Sequence, residues 1–323
     1  MFHNTKTPRN LVLIDGNAIM YRAYYGVNKN FVPTFNEMPV GMVYGFASIL
    51  LNVIEFLKPA NLIVTFDCKE KTFRHEMDEN YKAQRKAAPD DFYPQLPYIE
   101  KMLNAFQVPI FKKPGFESDD LIGSLVNLAK NLDFEQIYIV SGDLDFTQLV
   151  SDKVKLLKVN GKIKESPIYG PDEVVARYGV TVEQMVDYKS IIGDSSDNYS
   201  GIPGVGSKTA QKLLQKYGTI DGILENLETL EPLKLREKFR ENKDYLLHCR
   251  KLAQIKTDIP LEFNFSRDFV LPYDKVDEFL AEIGFRALRG RLARMSNNSV
   301  HILKNEQNIS SNSVVSSSQM SLF

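Results

Sequence analysis

Sulfur and imidazole are scarce in this chain of 323 residues, which has two cysteines, Cys68 and Cys249, and four histidines. Two thiols so far apart make neither a disulfide framework nor a zinc site, and a reduced cytoplasm suits them. With so few imidazoles, sulfur chemistry and Ser-His-Asp catalysis find no support, and His75 and His248 read as structural or surface residues. Long apolar runs are absent too. Residues 11–14 are too short for a signal-peptide core and lead straight into Asp15, and nothing approaches membrane-spanning length. A surplus of charge is also missing: the formal net charge is −1, which tells little, because an acidic cluster and a basic surface cancel in the sum.

What the chain does have is a hydrophobic content of 43%, enough to bury a core in one large domain plus a smaller one. Its central stretch is Gly115-Phe-Glu117-Ser-Asp119-Asp120, which comes after a short apolar run at 108–111 and precedes an apolar-periodic segment at 121–128. Three carboxylates at a strand-to-helix junction repel one another unless a cation neutralises them, and oxygen-only donors suit a hard ion such as Mg2+ or Mn2+. Alone, Ser-Asp-Asp is better read as a helix cap. The design recurs, however. Residues 11–14 read as a strand ending at Asp15, with Asn17 placed to cap a helix at 18–25. A helix at 41–56 and a strand at 62–66 lead to Asp67, and a strand at 136–140 leads to Asp143 and Asp145. Alternating strands and helices imply right-handed crossovers in a parallel sheet, so these strand ends gather along one edge, where such sheets place ligands. Residues 154–157 read as an edge strand, with a hairpin signal after it at Asn160-Gly161.

Residues 69–98 break the pattern with mixed charge, aromatics and prolines, and are expected to project and move. Residues 81–86 read as helical, which puts Lys82 and Arg85 on one face. A solvated helix is the plain reading, and a grip on a phosphodiester backbone is the sharper one. From Pro171 onward helices prevail. A helix at 182–192 enters the loop Gly193-Asp194-Ser-Ser-Asp197-Asn198-Tyr-Ser-Gly201-Ile-Pro203-Gly204-Val-Gly206, and Ser207 is placed to cap a helix running to Tyr217. Glycines there let the backbone approach a ligand closely, and free N–H groups at the helix start attract an anion such as a DNA phosphate.

The blocks LVLIDGNAIMYRAYYG, TFDCKEKTFRHEMDENYKAQR, GFESDDLIGSLV, VSGDLDFTQLV and GDSSDNYSGIPGVGSKTA resemble the successive motifs of the 5'-nuclease domain that heads bacterial DNA polymerase I, within the flap endonuclease family. The likeness covers residues 9–290. It implies an α/β, PIN-like (resolvase-like) fold: a mostly parallel sheet flanked by helices at 1–170, with a helical arch at 69–98, and a helix-three-turn-helix domain at 171–295. It further implies a structure-specific nuclease that removes 5' flaps and primers from DNA in replication and repair. By that resemblance Asp15, Asp67, Glu117 and Asp119, with Asp120 nearby, hold a first Mg2+ or Mn2+, and Asp143, Asp145, Asp194 and Asp197 hold a second. Lys82 and Arg85 reach the scissile phosphate, acting with Asp15, Asp67 and Asp119 in catalysis, while Arg74 and Tyr81 join them in the arch as DNA contacts. Gly204, Gly206 and Lys208 bind the duplex, where relatives also hold a monovalent ion such as K+. Tyr199-Ser200 departs from the family pattern, which has an apolar residue and proline there.

The resemblance implies a DNA partner (5'-flap, nicked or gapped duplex, with an RNA primer as a further substrate), a monomer, and a cytoplasmic, nucleoid-associated location in a bacterium. If the chain is natural as it stands, it is a free-standing nuclease. Residues 296–323 read as a disordered tail. Its end, Gln319-Met320-Ser321-Leu322-Phe323, resembles the peptide by which replication proteins bind the sliding clamp, with Met320 in place of leucine. Two other classes remain as alternatives: a binding module that no longer cuts, and a metal-dependent ribonuclease.

Overall fold

The computed structural model describes residues 9–27 and 33–297. In chain order the first part contains β1 (Asn10–Asp15), α1 (Gly16–Gly26), a small ribbon of β2 (Thr34–Phe35) and β3 (Met38–Pro39), α2 (Gly41–Leu57), β4 (Pro59–Thr65), a short α3 (Phe73–Met77), α4 (Leu96–Ala105), β5 (Ile110–Phe111), α5 (Ser118–Ala129), β6 (Gln136–Ser141), β7 (Val154–Lys158) and β8 (Ile168–Tyr169). The second part contains α6 (Pro171–Tyr178), α7 (Met185–Ile192), α8 (Ser207–Tyr217), α9 (Ile220–Glu225), α10 (Leu233–Glu241), α11 (Lys243–Ala253) and α12 (Tyr273–Glu282).

The sheet runs β5-β4-β1-β6-β7-β8, parallel throughout except that β8 is antiparallel to β7. β1 is apolar at four successive positions because both its faces are covered. Leu11 and Leu13 join one core with Ile122 and Leu125 of α5, and Val12 and Ile14 join the other with Phe46 and Leu50 of α2. β7, expected at the edge, is interior, since β8 pairs outside it. The connection between them is longer than a tight hairpin, because a 3-10 turn at Ile163–Glu165 intervenes. Strand β5 is shorter than the apolar run at 108–111, as only Ile110 and Phe111 pair with β4. Registers Asp15↔Thr65, Ile14↔Val140 and Thr65↔Phe111 bring the C-terminal ends of four strands level.

Several local expectations change. Asp15, not Asn17, caps α1, accepting from Ala18 N at 3.2 Å, while the Asn17 amide oxygen accepts from Asp67 N. Gly206 rather than Ser207 occupies the cap position of α8, and no side chain caps it. The helix expected at 182–192 begins as a 3-10 turn, Val182–Gln184, before α7. Residues 81–86 form turns instead of a helix: Lys82 has φ +55°, left-handed backbone that an α-helix cannot contain. Residues 69–98 do not project as a helical arch. They hold the five-residue α3 and bury Arg74, Tyr81 and Phe92 against the body of the protein.

The stretch expected to be one helical domain also divides. After α11 the chain crosses back over the α/β layer, donating from Lys256 N to Asp120 Oδ1 (2.9 Å), from Ile259 N to Ser124 Oγ (3.1 Å) and from Phe269 N to Ala60 O (2.6 Å). Gly123 permits this crossing, since a Cβ there would lie 2.6 Å from Lys256 O. α12 then packs in the α2 and α4 core. Residues 286–297 are helical, which includes the first two residues of the expected tail, and the rest of that tail, residues 319–323 among it, lies outside the described residues.

Candidate active site

Loops leaving the level strand ends bring together most of the expected carboxylates. Asp15 ends β1 and is buried; its Oδ2 accepts from Ser141 Oγ at 2.7 Å, and Ser141 Oγ also accepts from Asp143 N at 3.0 Å. Asp67 Oδ1 accepts from Ser118 N at 2.7 Å, and Ser118 Oγ lies 3.5 Å from Asp15 Oδ1. Ser118 and Ser141 thus hold the carboxylates in place. Sequence reasoning passed over both, and the only signal was a serine beside each acidic strand end.

The carboxylates fall into two electrostatic kinds. Asp15, Asp67, Asp119 and Asp143 have no ion-pair partner among the described residues. Burial pushes Asp15 up to about 6, with Asp67 and Asp143 adding repulsion against the bonds from Ser141 and Ala18. Asp119 rises well above its ordinary value through burial and then through Asp15 and Asp143. Asp67 rises too, through desolvation of its carboxylate and repulsion from Glu117, against the pull of the Ser118 amide. The others are neutralised from within. Burial would raise Glu117, but Lys82 and Arg74 outweigh it and hold the carboxyl below its usual range. Lys82 Nζ donates to Glu117 Oε1 at 2.7 Å and lies 4.0 Å from Asp197, to which Arg85 donates at 3.0 Å. Lys189 donates to Asp145 and, at 2.8 Å, to Asp194. Even so, burial and Asp143 push Asp145 up to about 7.

Three expected roles do not survive this geometry. Asp120 is fully buried and bound by Arg74 in two bonds of 2.8 Å, while its Oδ2 caps α5 by accepting from Glu117 N. That is the capping role, and it leaves Asp120 no freedom to ligate an ion. Arg74 is 2% exposed and spends its remaining donors on Glu117 and on the carbonyls of Leu252 and Gln254, so it has no face to offer DNA. Tyr81 is 3% exposed, and its hydroxyl lies 3.0 Å from Glu117 Oε2 and 3.1 Å from Asp197 Oδ2. Tyr199, which departs from the family pattern in the glycine-rich loop, packs with Tyr81, Cys249 and Leu252 in a small core.

Among the described residues, no three carboxylate, imidazole or thiol groups already stand in the geometry of a closed metal centre. The donor chemistry nonetheless fits a hard divalent ion: oxygen-only donors, mutual repulsion and, among the described residues, no ion-pair partner at Asp15, Asp67, Asp119 and Asp143. Side-chain adjustment is required to close on it.

Beside this edge, the loop before α8 is held tight by glycine. Gly193 (φ +81°) and Gly201 (φ +61°) pack so closely that a Cβ on Gly201 would lie 2.4 Å from Gly193 N. Gly204, Gly206 and Lys208 are exposed beyond it, and Lys238 Nζ donates to Pro203 O at 2.8 Å. No helix among the described residues is long and apolar enough to cross a membrane.

Comparisons with known proteins agree with this arrangement. Residues 10–179 match a family model described as 5'-3' exonuclease, N-terminal resolvase-like domain, and residues 180–278 match 5'-3' exonuclease, C-terminal SAM fold. DNA polymerase I of Bacillus subtilis is 37% identical over 293 residues, covering 89% of this chain and 33% of that protein. DNA polymerase I of Caldicellulosiruptor bescii is 37% identical over 286 residues, covering 87% and 33%. The chain therefore spans about a third of the length of the curated relatives it matches. Among solved structures, bacteriophage T5 D15 flap endonuclease in a complex with DNA and metal ions superposes with a TM-score of 0.65 at 21% identity, over 92% of this chain and 100% of that one. The catalytic core of Rad2 with DNA substrate gives 0.56 at 13% identity, over 84% and 86%. At these identities the structural likenesses speak for the fold, while the two consecutive family models set the assignment: the chain belongs to the 5'-3' exonuclease family.

Proposed function

We propose that the chain is a divalent-metal-dependent, structure-specific 5'-nuclease that hydrolyses DNA phosphodiesters at 5' flaps, nicks and gaps. The observation that carries this is the unpaired quartet Asp15, Asp67, Asp119 and Asp143 on the sheet edge, faced by Lys82 and Arg85. Relatives named DNA polymerase I and solved relatives named flap endonuclease and 5'-exonuclease support it. On this reading residues 1–170 are the catalytic part and the helices from 171 bind duplex.

The quartet, with Glu117, Asp145, Asp194 and Asp197 at its margins, would hold two Mg2+ or Mn2+ ions. When bound, such ions counter charge on the scissile phosphate and supply a nucleophilic water at neutral pH. Lys82 and Arg85, paired with Glu117 and Asp197 here, would supply positive charge to the scissile phosphate once those carboxylates were engaged by an ion. Ser141 and Ser118 keep Asp15 and Asp67 aimed at the same point. Gly204, Gly206 and Lys208 bind the duplex through its backbone, with Lys238 beside them and K+ as the monovalent ion of the loop.

We also infer a monomer acting in the bacterial cytoplasm at the nucleoid, in primer removal and repair, with Gln319, Met320, Leu322 and Phe323 as a sliding-clamp peptide. Cleavage of an end-labelled 5'-flap duplex with and without Mg2+, beside Asp119→Ala, tests the core of this. Metal-dependent cutting near the flap junction, lost in the variant, is expected; tight binding with no cutting in either Mg2+ or Mn2+ would overturn it.

A further inference from the structure

Lys189 is a cation on a helix packed into the core. That helix, α7, buries Met185, Tyr188 and Ile191, and also Asp187 and Ser190, while the Lys189 ammonium turns to the acidic edge, donating to Asp145 on the α/β side and to Asp194 Oδ2 at 2.8 Å on the helical side. Side-chain exposures of 13%, 19% and 14% for Lys189, Asp145 and Asp194 limit screening by bulk water. The contrast with the quartet is sharp. Asp15, Asp67, Asp119 and Asp143 have no cation at ion-pair distance among the described residues, whereas Asp145 and Asp194 share one that belongs to the chain. An ion entering among the quartet displaces nothing, but one entering between Asp145 and Asp194 meets a charge already in place.

We propose that Lys189 is a built-in competitor for the second divalent ion, which engages Asp145 and Asp194 only by displacing the lysine ammonium. This rests on the reading of the acidic edge as a divalent-ion site. Lysine suits the task chemically. Its compact charge neutralises two carboxylates at once, and its flexible stem lets the ammonium withdraw without moving the helix, which a planar guanidinium fork bound to the same pair resists. The two ions then differ in affinity for a reason internal to the fold, and the second site fills only when ion concentration, or the added charge of a DNA phosphate, tips the exchange. A lysine that merely ties the two halves together makes the opposite prediction, because removing a strut loosens the second site.

The test is Mn2+ binding to the full chain without DNA, read by titration calorimetry and by electron paramagnetic resonance of free Mn2+. The parent should show one tighter and one weaker site. Lys189→Met should leave the first unchanged and tighten the second by about tenfold or more, since it leaves two partly buried carboxylates without their cation. Its melting temperature in chelator should fall and recover on adding Mn2+. Lys189→Arg, which keeps the charge and guards against a misfolded Met variant, should weaken the second site and spare the first. A second site unchanged or weakened in Lys189→Met, or unaltered in Lys189→Arg, with the first intact in each, overturns the competitor while leaving the metal site standing. A parent that binds no Mn2+ overturns both.

Discussion

Arg74 and Asp120 meet in two parallel hydrogen bonds of 2.8 Å, Nη1 to Oδ2 and Nη2 to Oδ1, with side-chain exposures of 3% and 0%. A buried bidentate pair is costly to break from one side, because the remaining charge stays desolvated. Arg74→Met should therefore lower stability by about 3–5 kcal/mol in denaturant unfolding. The same geometry predicts that the salt dependence of DNA binding is unchanged in whatever fraction of that variant folds. A shallower salt slope would return Arg74 to the DNA-contacting residues.

Asp119 supports a prediction with a pH signature. Burial and the neighbouring Asp15 and Asp143 raise its carboxyl above the ordinary value of 3.8, so the folded protein keeps a proton that the unfolded chain gives up. The stability this lends is complete below the ordinary carboxylate range and is lost as pH climbs through the raised value. Asp15, pushed up to about 6 by burial, acts in the same direction. Asp119→Asn cannot ionise, so in chelator its stability relative to the parent should rise between about pH 4 and about pH 8, with cleavage abolished. The same relative stability at both values would sink the electrostatic account of the quartet.

Lys82 should separate catalysis from folding. Its ammonium bonds to Glu117, but Glu117 keeps Arg74 at 3.0 Å and the Tyr81 hydroxyl at 3.0 Å when Lys82 is removed. Lys82→Ala should keep its melting temperature within a few degrees and reduce single-turnover flap cleavage by roughly 10²-fold or more, with flap affinity changed far less. Single-turnover kinetics beside an equilibrium binding titration decide it.

Two glycines of one loop should behave differently. A Cβ on Gly201 would lie 2.4 Å from the Gly193 nitrogen and from Ile191 O, at a φ of +61°, so Gly201→Ala should cost about 2 kcal/mol or more in thermal or denaturant unfolding. At Gly206 nothing lies within 4 Å of the added carbon and the backbone is ordinary, so Gly206→Ala should fold as the parent does. If Gly206 faces a phosphate, that second variant should still lose duplex affinity, and a gel-shift titration with intact affinity would remove it from the interface.

Legible in the sequence were strands β1, β4, β6 and β7, the helices α1, α2 and α5 that cover them, and the carboxylates at the strand ends, though not β8 outside β7. These depend on apolar periodicity and on the residue type that ends each apolar run, which are local properties. The level ends of β1, β4 and β6 come from parallel pairing, which the strand–helix alternation already implied. Charge pairing was decided only by the tertiary structure. Arg74 meets Asp120 across 46 residues, Lys189 meets Asp145 across 44, and Tyr81 meets Asp197 across 116. Motif position places Arg74 and Tyr81 with the DNA-gripping residues and Asp120 with the metal ligands. Burial places all three among the supports of that site, because a side chain's role depends on which distant groups share its desolvated space, and no local pattern records that.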